Sequence, residues 1–255
     1  MGFFSKKTNP EKAKCPVSEE IRIWMEDSYL WLMTQFGQQT ILNNRILTPD
    51  YSSFAFSFTT DKEDAFKSLT TLCSQMKIEP SDIELYFYTD HIIEYNNEPG
   101  FQLSSIQDEN ESTTAGLYFN KNENGKFIIA IEEEQLKDST NLVATIAHEL
   151  AHIKILGEGR LNINDEYLTD LVTVFFGLGI FTANSSFRFY SNQGGWGYSR
   201  QGYLFQQEWG YALALYAYIR EERSPSWINF LAPNIKSDFL QGEKYIYAHE
   251  DIILR

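Results

Sequence analysis

The five residues His148-Glu149-Leu150-Ala151-His152 constrain this chain more than any other stretch. Two histidines and a glutamate in the order HExxH share a purpose only on an α-helix, where residues four apart stack on one face and both imidazoles reach one metal ion. The flanks agree with a helix. Asp138-Ser139-Thr140 offers N-cap oxygens, Leu142, Ile146 and Leu150 repeat as an apolar stripe, and Gly157 ends the pattern, so one helix is expected over residues 140–156.

Strand signals precede it. Leu117-Tyr118-Phe119 and Phe127-Ile128-Ile129, joined by Asn120–Gly125, read as a hairpin, and Ile83–Tyr88 reads as a further strand with a continuation through Ile92 and Ile93. Tyr51–Phe58 alternates Ser with Phe54, Phe56 and Phe58, a strand pattern. Residues 96–114 are polar and read as a surface loop. Helical spacing appears at Ile21, Trp24, Met25, Tyr29, Leu32, Met33 and Phe36, with Gly37 as a stop, and again from Asp61 through Met76. After the motif, a helix capped by Asn164 runs toward Phe181, and the last long helix spans Gln206 to about Glu222, ended by Pro225. The fold class expected is α+β: a small mixed or antiparallel sheet, the motif helix beneath it, and a helical C-terminal half. Residues 1–17 are expected as a flexible polar lead and 18–255 as a single domain, since no low-complexity linker divides the chain.

The formal charge of −14 disfavours nonspecific attraction to nucleic acid or an anionic membrane, both of which need a basic surface, so neither partner is expected. The N-terminal residues lack the apolar run of a signal peptide, and the longest apolar run, Leu171–Phe181, is too short for a bilayer. A cytoplasmic protein is the expectation. Cys15 and Cys73 match no zinc or redox spacing and read as free thiols, one disulfide between them being the alternative.

The chemistry expected of the motif is specific to each residue. Zinc held by His148, His152 and one further ligand keeps a position open for water and lowers that water's pKa toward ~7. Glu149, next to His148, is placed to act as general base on it and to pass the proton to a leaving amine. The third ligand must come from farther along, and Glu166, in Asp165-Glu166-Tyr167-Leu168-Thr169-Asp170, is the first candidate. His148-Glu149-xx-His152 followed by Glu166-xxx-Asp170 resembles the HExxH and ExxxD pair of the thermolysin-like zinc metallopeptidases, the gluzincins, over about residues 138–181. The resemblance implies a zincin-like fold, hydrolysis of peptide bonds in a peptide or protein substrate, Glu166 as third zinc ligand, and Asp170 as the carboxylate that fixes the ring tautomer of His148. Residues 153–165 separate the two motifs, and an extended Gly157–Ile163 loop spans ~23 Å, enough to bring a second helix alongside the first.

Alternatives stay open at this level. In a metzincin-type extension the last-ligand place falls on Glu158, although Ile155 stands where the turn glycine belongs. A zincin-shaped binding or regulatory protein with a structural metal would carry the same letters. Tyr198, Arg200 and Tyr203 are candidates for an oxyanion donor. His91 and His249 read as ordinary surface or packed histidines.

Overall fold

The computed structural model describes residues 13–89, 115–186 and 202–254 in full, and the backbone of 92–95, 98–102, 187–192 and 195–200. Its first element, α1 (Glu19–Phe36), is capped by the Ser18 side chain, which accepts from the Ile21 N–H, and stops at Gly37 with φ +83. Met25, Tyr29 and Leu32 are fully buried on its inner face. A short α2 (Gln38–Asn43), which the sequence pattern does not signal, follows at once.

Residues 51–58 form a turn, a bend and irregular chain rather than the expected strand. The Asp50 carboxylate accepts from both the backbone N–H and the hydroxyl of Ser52, a local bond that competes with an extended ladder. Phe54, Phe56 and Phe58 instead pack on one another, with centroids 4.9–5.9 Å apart, and Phe54 packs against Phe181. Helix α3 (Lys62–Met76) starts at Asp61, whose side chain accepts from the Asp64 N–H, and buries Leu69, Leu72, Cys73 and Met76. Burial pushes the Cys73 thiol up to about 12. It should therefore resist iodoacetamide at pH 8 in the folded protein and react only after denaturation, as peptide mass mapping of native and unfolded samples will show.

Strands β1 (Ile83–Thr89), β2 (Ile92–Tyr95), β3 (Glu98–Gln102), β4 (Gly116–Phe119) and β5 (Phe127–Glu132) form one sheet in the order β3-β2-β1-β5-β4. The sheet is mixed: β1 and β5 run parallel, the other pairs antiparallel. Ile92 and Ile93 do not continue β1 but return as its antiparallel neighbour, and part of the expected 96–114 loop is β3. The β4–β5 hairpin is present as expected, with Asn122 organising its turn through bonds to Asn124 and Lys126.

Helix α4 (Ser139–His152) carries the motif and is capped by Asp138, which accepts from the N–H groups of Thr140 and Asn141. Leu142, Ile146 and Leu150 are fully buried, each contributing about 1.5–3 kcal/mol of burial relative to exposure. The α-helix does not run to residue 156; Ile153–Gly157 widens into a π turn. Asp165, rather than Asn164, caps α5 (Glu166–Phe175), accepting from the Leu168 N–H. The expected continuation to Phe181 breaks at Gly177, φ +82, where an added Cβ would stand 2.3 Å from the Arg45 carbonyl. Chain density at that crossing, not propensity, ends α5, and α6 (Gly179–Ser185) restarts beyond it.

Beyond the hairpin β6 (Phe187–Asn192) and β7 (Gly195–Arg200) comes α7 (Gln206–Ile219). A further helix that the sequence reading passed over, α8 (Pro233–Ala248), packs along α7. The close approach needs Gly210, where a Cβ would lie 2.4 Å from that of Asp238. The architecture is thus α+β, and buried side chains from Met25 to Ile253 join in one core. Both cysteines are free thiols. Among the described residues no helix is long and apolar enough to cross a membrane. His91 and residues 1–12 lie outside the described residues.

Candidate metal centre

Three elements build the site. Helix α4 presents His148 and His152 one turn apart, their ring centroids 4.9 Å apart and nearly perpendicular. The π turn and the residues after it reverse the chain, so that α5 returns alongside α4 and its first residue, Glu166, faces both rings. Glu166 Oε2 lies 3.0 Å from His148 Nε2 and 3.3 Å from His152 Nε2. One ligand atom from each of the three residues falls within 4.8 Å of the other two, and among the described residues this is the one such group of metal-ligating side chains.

The electrostatics follow from that convergence. Burial by itself would raise the Glu166 carboxyl, but hydrogen bonds from His148 and His152 hold it well below the usual carboxylate range. Burial would likewise lower the His148 imidazole, and Asp170 and Glu166 more than reverse this, raising it well above its ordinary value. Glu149 is buried beside them. Desolvation lifts its carboxyl above the ordinary range against the opposing pull of the two histidines.

Asp170, one turn along α5 and 1% exposed, orients the group. Its Oδ1 accepts a hydrogen bond from His148 Nδ1 at 3.0 Å, and Nε2, on the other side of the ring, faces Glu166 Oε2. Its Oδ2 accepts from the backbone N–H groups of Tyr203 and Leu204, at 2.7 and 3.0 Å. One buried carboxylate thus fixes the imidazole and holds the 202–204 segment across the site. Gly202, with φ +93, passes so close that a Cβ would lie 3.2 Å from Oδ2. The segment sets the Tyr203 ring on His148, with centroids 6.1 Å apart and planes within 20°. Of the three residues considered as oxyanion donors, Tyr203 is the one placed at the rim; the side chains of Tyr198 and Arg200 lie outside the described residues.

Glu158 is not part of the group. It accepts from the buried Lys154 ammonium and from the Arg160 guanidinium, on the outer side of the turn. Lys154 also lies over the rings of Phe36 and Phe176, and Arg160 over Phe36 while donating to the Gln35 carbonyl. Without a turn glycine at residue 155, the chain after His152 leaves the site through the π turn, and Glu158 is spent on a cation pair that docks this turn onto α1. His249 is equally remote in role, bonded to the Tyr245 carbonyl and stacked on that ring.

Two contributors escaped the sequence reading because glycine spacing and strand register do not reveal them. Gly116 opens β4 directly over α4, where a Cβ would stand 2.6 Å from Thr145 Cγ2 and 2.9 Å from Glu149 Oε1. Gly116→Ala is expected to displace Glu149 and to cost about 1–3 kcal/mol of stability through overpacking. If the site is catalytic, activity should fall by up to about 10²-fold, the scale of a displacement near 1 Å; thermal unfolding and turnover measured together will check both. Tyr118, two residues on, stacks on His152.

Compared with known proteins, the chain matches no family model, no curated protein and no solved structure.

Proposed function

We propose that this chain is a zinc-dependent peptidase with a zincin-like arrangement of the gluzincin type. The observation that carries the proposal is the meeting of His148, His152 and Glu166, from two helices, around one point, with Glu149 buried beside it. The donor set supports zinc in particular, since two imidazoles and one carboxylate make a three-ligand shell that leaves a fourth position open.

Bound there, zinc supplies Lewis acidity, which polarises a carbonyl and makes a nucleophile of water near neutral pH. The rest is the work of the chain. Asp170 Oδ1 accepts a hydrogen bond from His148 Nδ1 and holds the ring with Nε2 turned toward Glu166, the edge that would ligate the metal. The Glu149 carboxylate takes a proton from the attacking water as the water oxygen bonds to the scissile carbonyl carbon. The same carboxyl then gives that proton to the amine nitrogen as the carbon–nitrogen bond breaks. Its desolvated surroundings favour the protonated form that this second transfer requires. Among the described residues β4 is an edge strand, paired with β5 alone, and its first residue lies against Glu149. An extended peptide can add to that edge through backbone hydrogen bonds, which would bring its carbonyls past the site.

Metal analysis coupled to proteolysis tests the proposal. The purified chain is expected to carry about one zinc, to cleave members of a peptide library, to lose cleavage on chelation and to regain it when zinc is restored. Absence of zinc binding would remove the metal from the account. Zinc binding without cleavage of any peptide would make a structural or regulatory metal site the better reading.

A further inference from the structure

The two imidazoles are held in different ways. His148 has a carboxylate behind it, whereas His152 Nδ1 is buried and, among the described residues, has no hydrogen-bond partner. Metal-ligating histidines are ordinarily oriented by a hydrogen bond at the second ring nitrogen. In its place stands Tyr118 of β4, its ring 5.8 Å from that of His152 and within 16° of parallel. The tyrosine is itself fixed on three sides. Phe127 packs beside it at 6.1 Å, its hydroxyl donates to Asn120 Oδ1 at 2.8 Å, and Gly157 passes so close that a Cβ there would lie 3.2 Å from Tyr118 Oη. The glycine at the end of the π turn thus leaves the space taken by the edge of the Phe127 ring and the Tyr118 hydroxyl.

We infer that Tyr118 is the positioning residue for His152: its ring face, not its hydroxyl, sets the imidazole plane and aims Nε2 at Glu166. Stacking constrains the tilt of the ring but supplies no proton acceptor, so the tautomer of His152 is set from the Nε2 side, by whatever binds there. The two ligands therefore differ in kind. His148 is hydrogen-bonded at both ring nitrogens, to Asp170 and Glu166, whereas His152 meets Glu166 at Nε2 and has only the face of Tyr118 to hold the rest of its ring.

The metal part of this inference rests on the zinc reading above, and the test separates the two. Tyr118→Phe keeps the ring and loses the Asn120 bond, whereas Tyr118→Ile and Tyr118→Met remove the ring, Ile being a good strand former. Zinc titrated alone against a chromophoric chelator gives the affinity, thermal unfolding of the metal-free proteins controls for the fold, and imidazole nitrogen NMR of the metal-free proteins reads the state of His152. Phe is expected to bind zinc within about twofold of the native chain, and Ile and Met about tenfold or more weakly, the range in which residues supporting a ligand act. The His152 signals should form one set in the native and Phe proteins and broaden or shift in Ile and Met. Native-like affinity and unchanged His152 signals in Ile and Met would overturn the inference, as would an equal loss in Phe, which would move the role to the hydroxyl. If the native chain binds no zinc, the metal reading falls, and the NMR comparison alone decides whether Tyr118 positions the ring.

Discussion

Glu149→Gln should leave zinc bound and abolish peptide cleavage, lowering kcat/KM by about 10²–10⁴-fold, the usual contribution of a positioned acid–base group. The amide keeps the shape of the side chain but can neither take the proton of the attacking water nor return one to the amine. Stability is the control that gives the experiment its force. Burial lifts the Glu149 carboxyl above its ordinary range, so its ionised form gains little from the fold, and a neutral isostere should unfold at a temperature no lower than the native protein. A variant that binds zinc, keeps its fold and still cleaves peptides at the native rate would sink the assignment of Glu149 as base.

Glu166→Ala and Glu158→Ala should separate cleanly, although both remove one carboxylate from neighbouring parts of the chain. Without Glu166 the shell loses an oxygen ligand, and zinc affinity should fall by more than the roughly 10–100-fold seen when a residue supporting a ligand is removed. Without Glu158 the affinity should stay within a few-fold of native, but the fold should weaken by about 2 kcal/mol or more, because Lys154, only 7% exposed, keeps its charge and loses its anion. Chelator competition and denaturant titration give the two numbers. Unchanged zinc affinity in Glu166→Ala would remove Glu166 from the site.

The parts of the site that were legible in the sequence are those set by helical periodicity. His148 and His152 meet because the rise per turn puts i and i+4 on one face, and Glu166 and Asp170 repeat that spacing on α5. The caps at Ser18, Asp61 and Asp138 were equally readable, since each is a local bond between a side chain and the first turn of its helix. What could not be read depends on contacts distant in sequence. Gly177 ends α5 because the Arg45 carbonyl crosses there, and nothing within a dozen residues announces it. The Phe54, Phe56 and Phe58 alternation imitates a strand, yet with Asp50 bonding Ser52 and other rings to bury against, a ladder offered no gain. Helix α8 lies beyond Pro225, a proline that stops one helix, and Pro233 at its own first turn opens the next. That Glu166 rather than Glu158 faces the histidines follows a π turn, a local widening that residue pattern does not encode.

That widened turn carries a consequence for any attempt to isolate the centre. Every proposed ligand, the base and the orienting aspartate lie between residues 148 and 170, which invites a minimal fragment. Yet the turn is seated from outside, by Lys154 and Arg160 on the ring of Phe36 and by Arg160 on the Gln35 carbonyl, at the far end of α1. A fragment starting after α1 would hold the whole vocabulary of the site without its grammar. The end of α1 supports the turn that leads from the histidines toward Glu166, so grafting the centre into another scaffold should include that support.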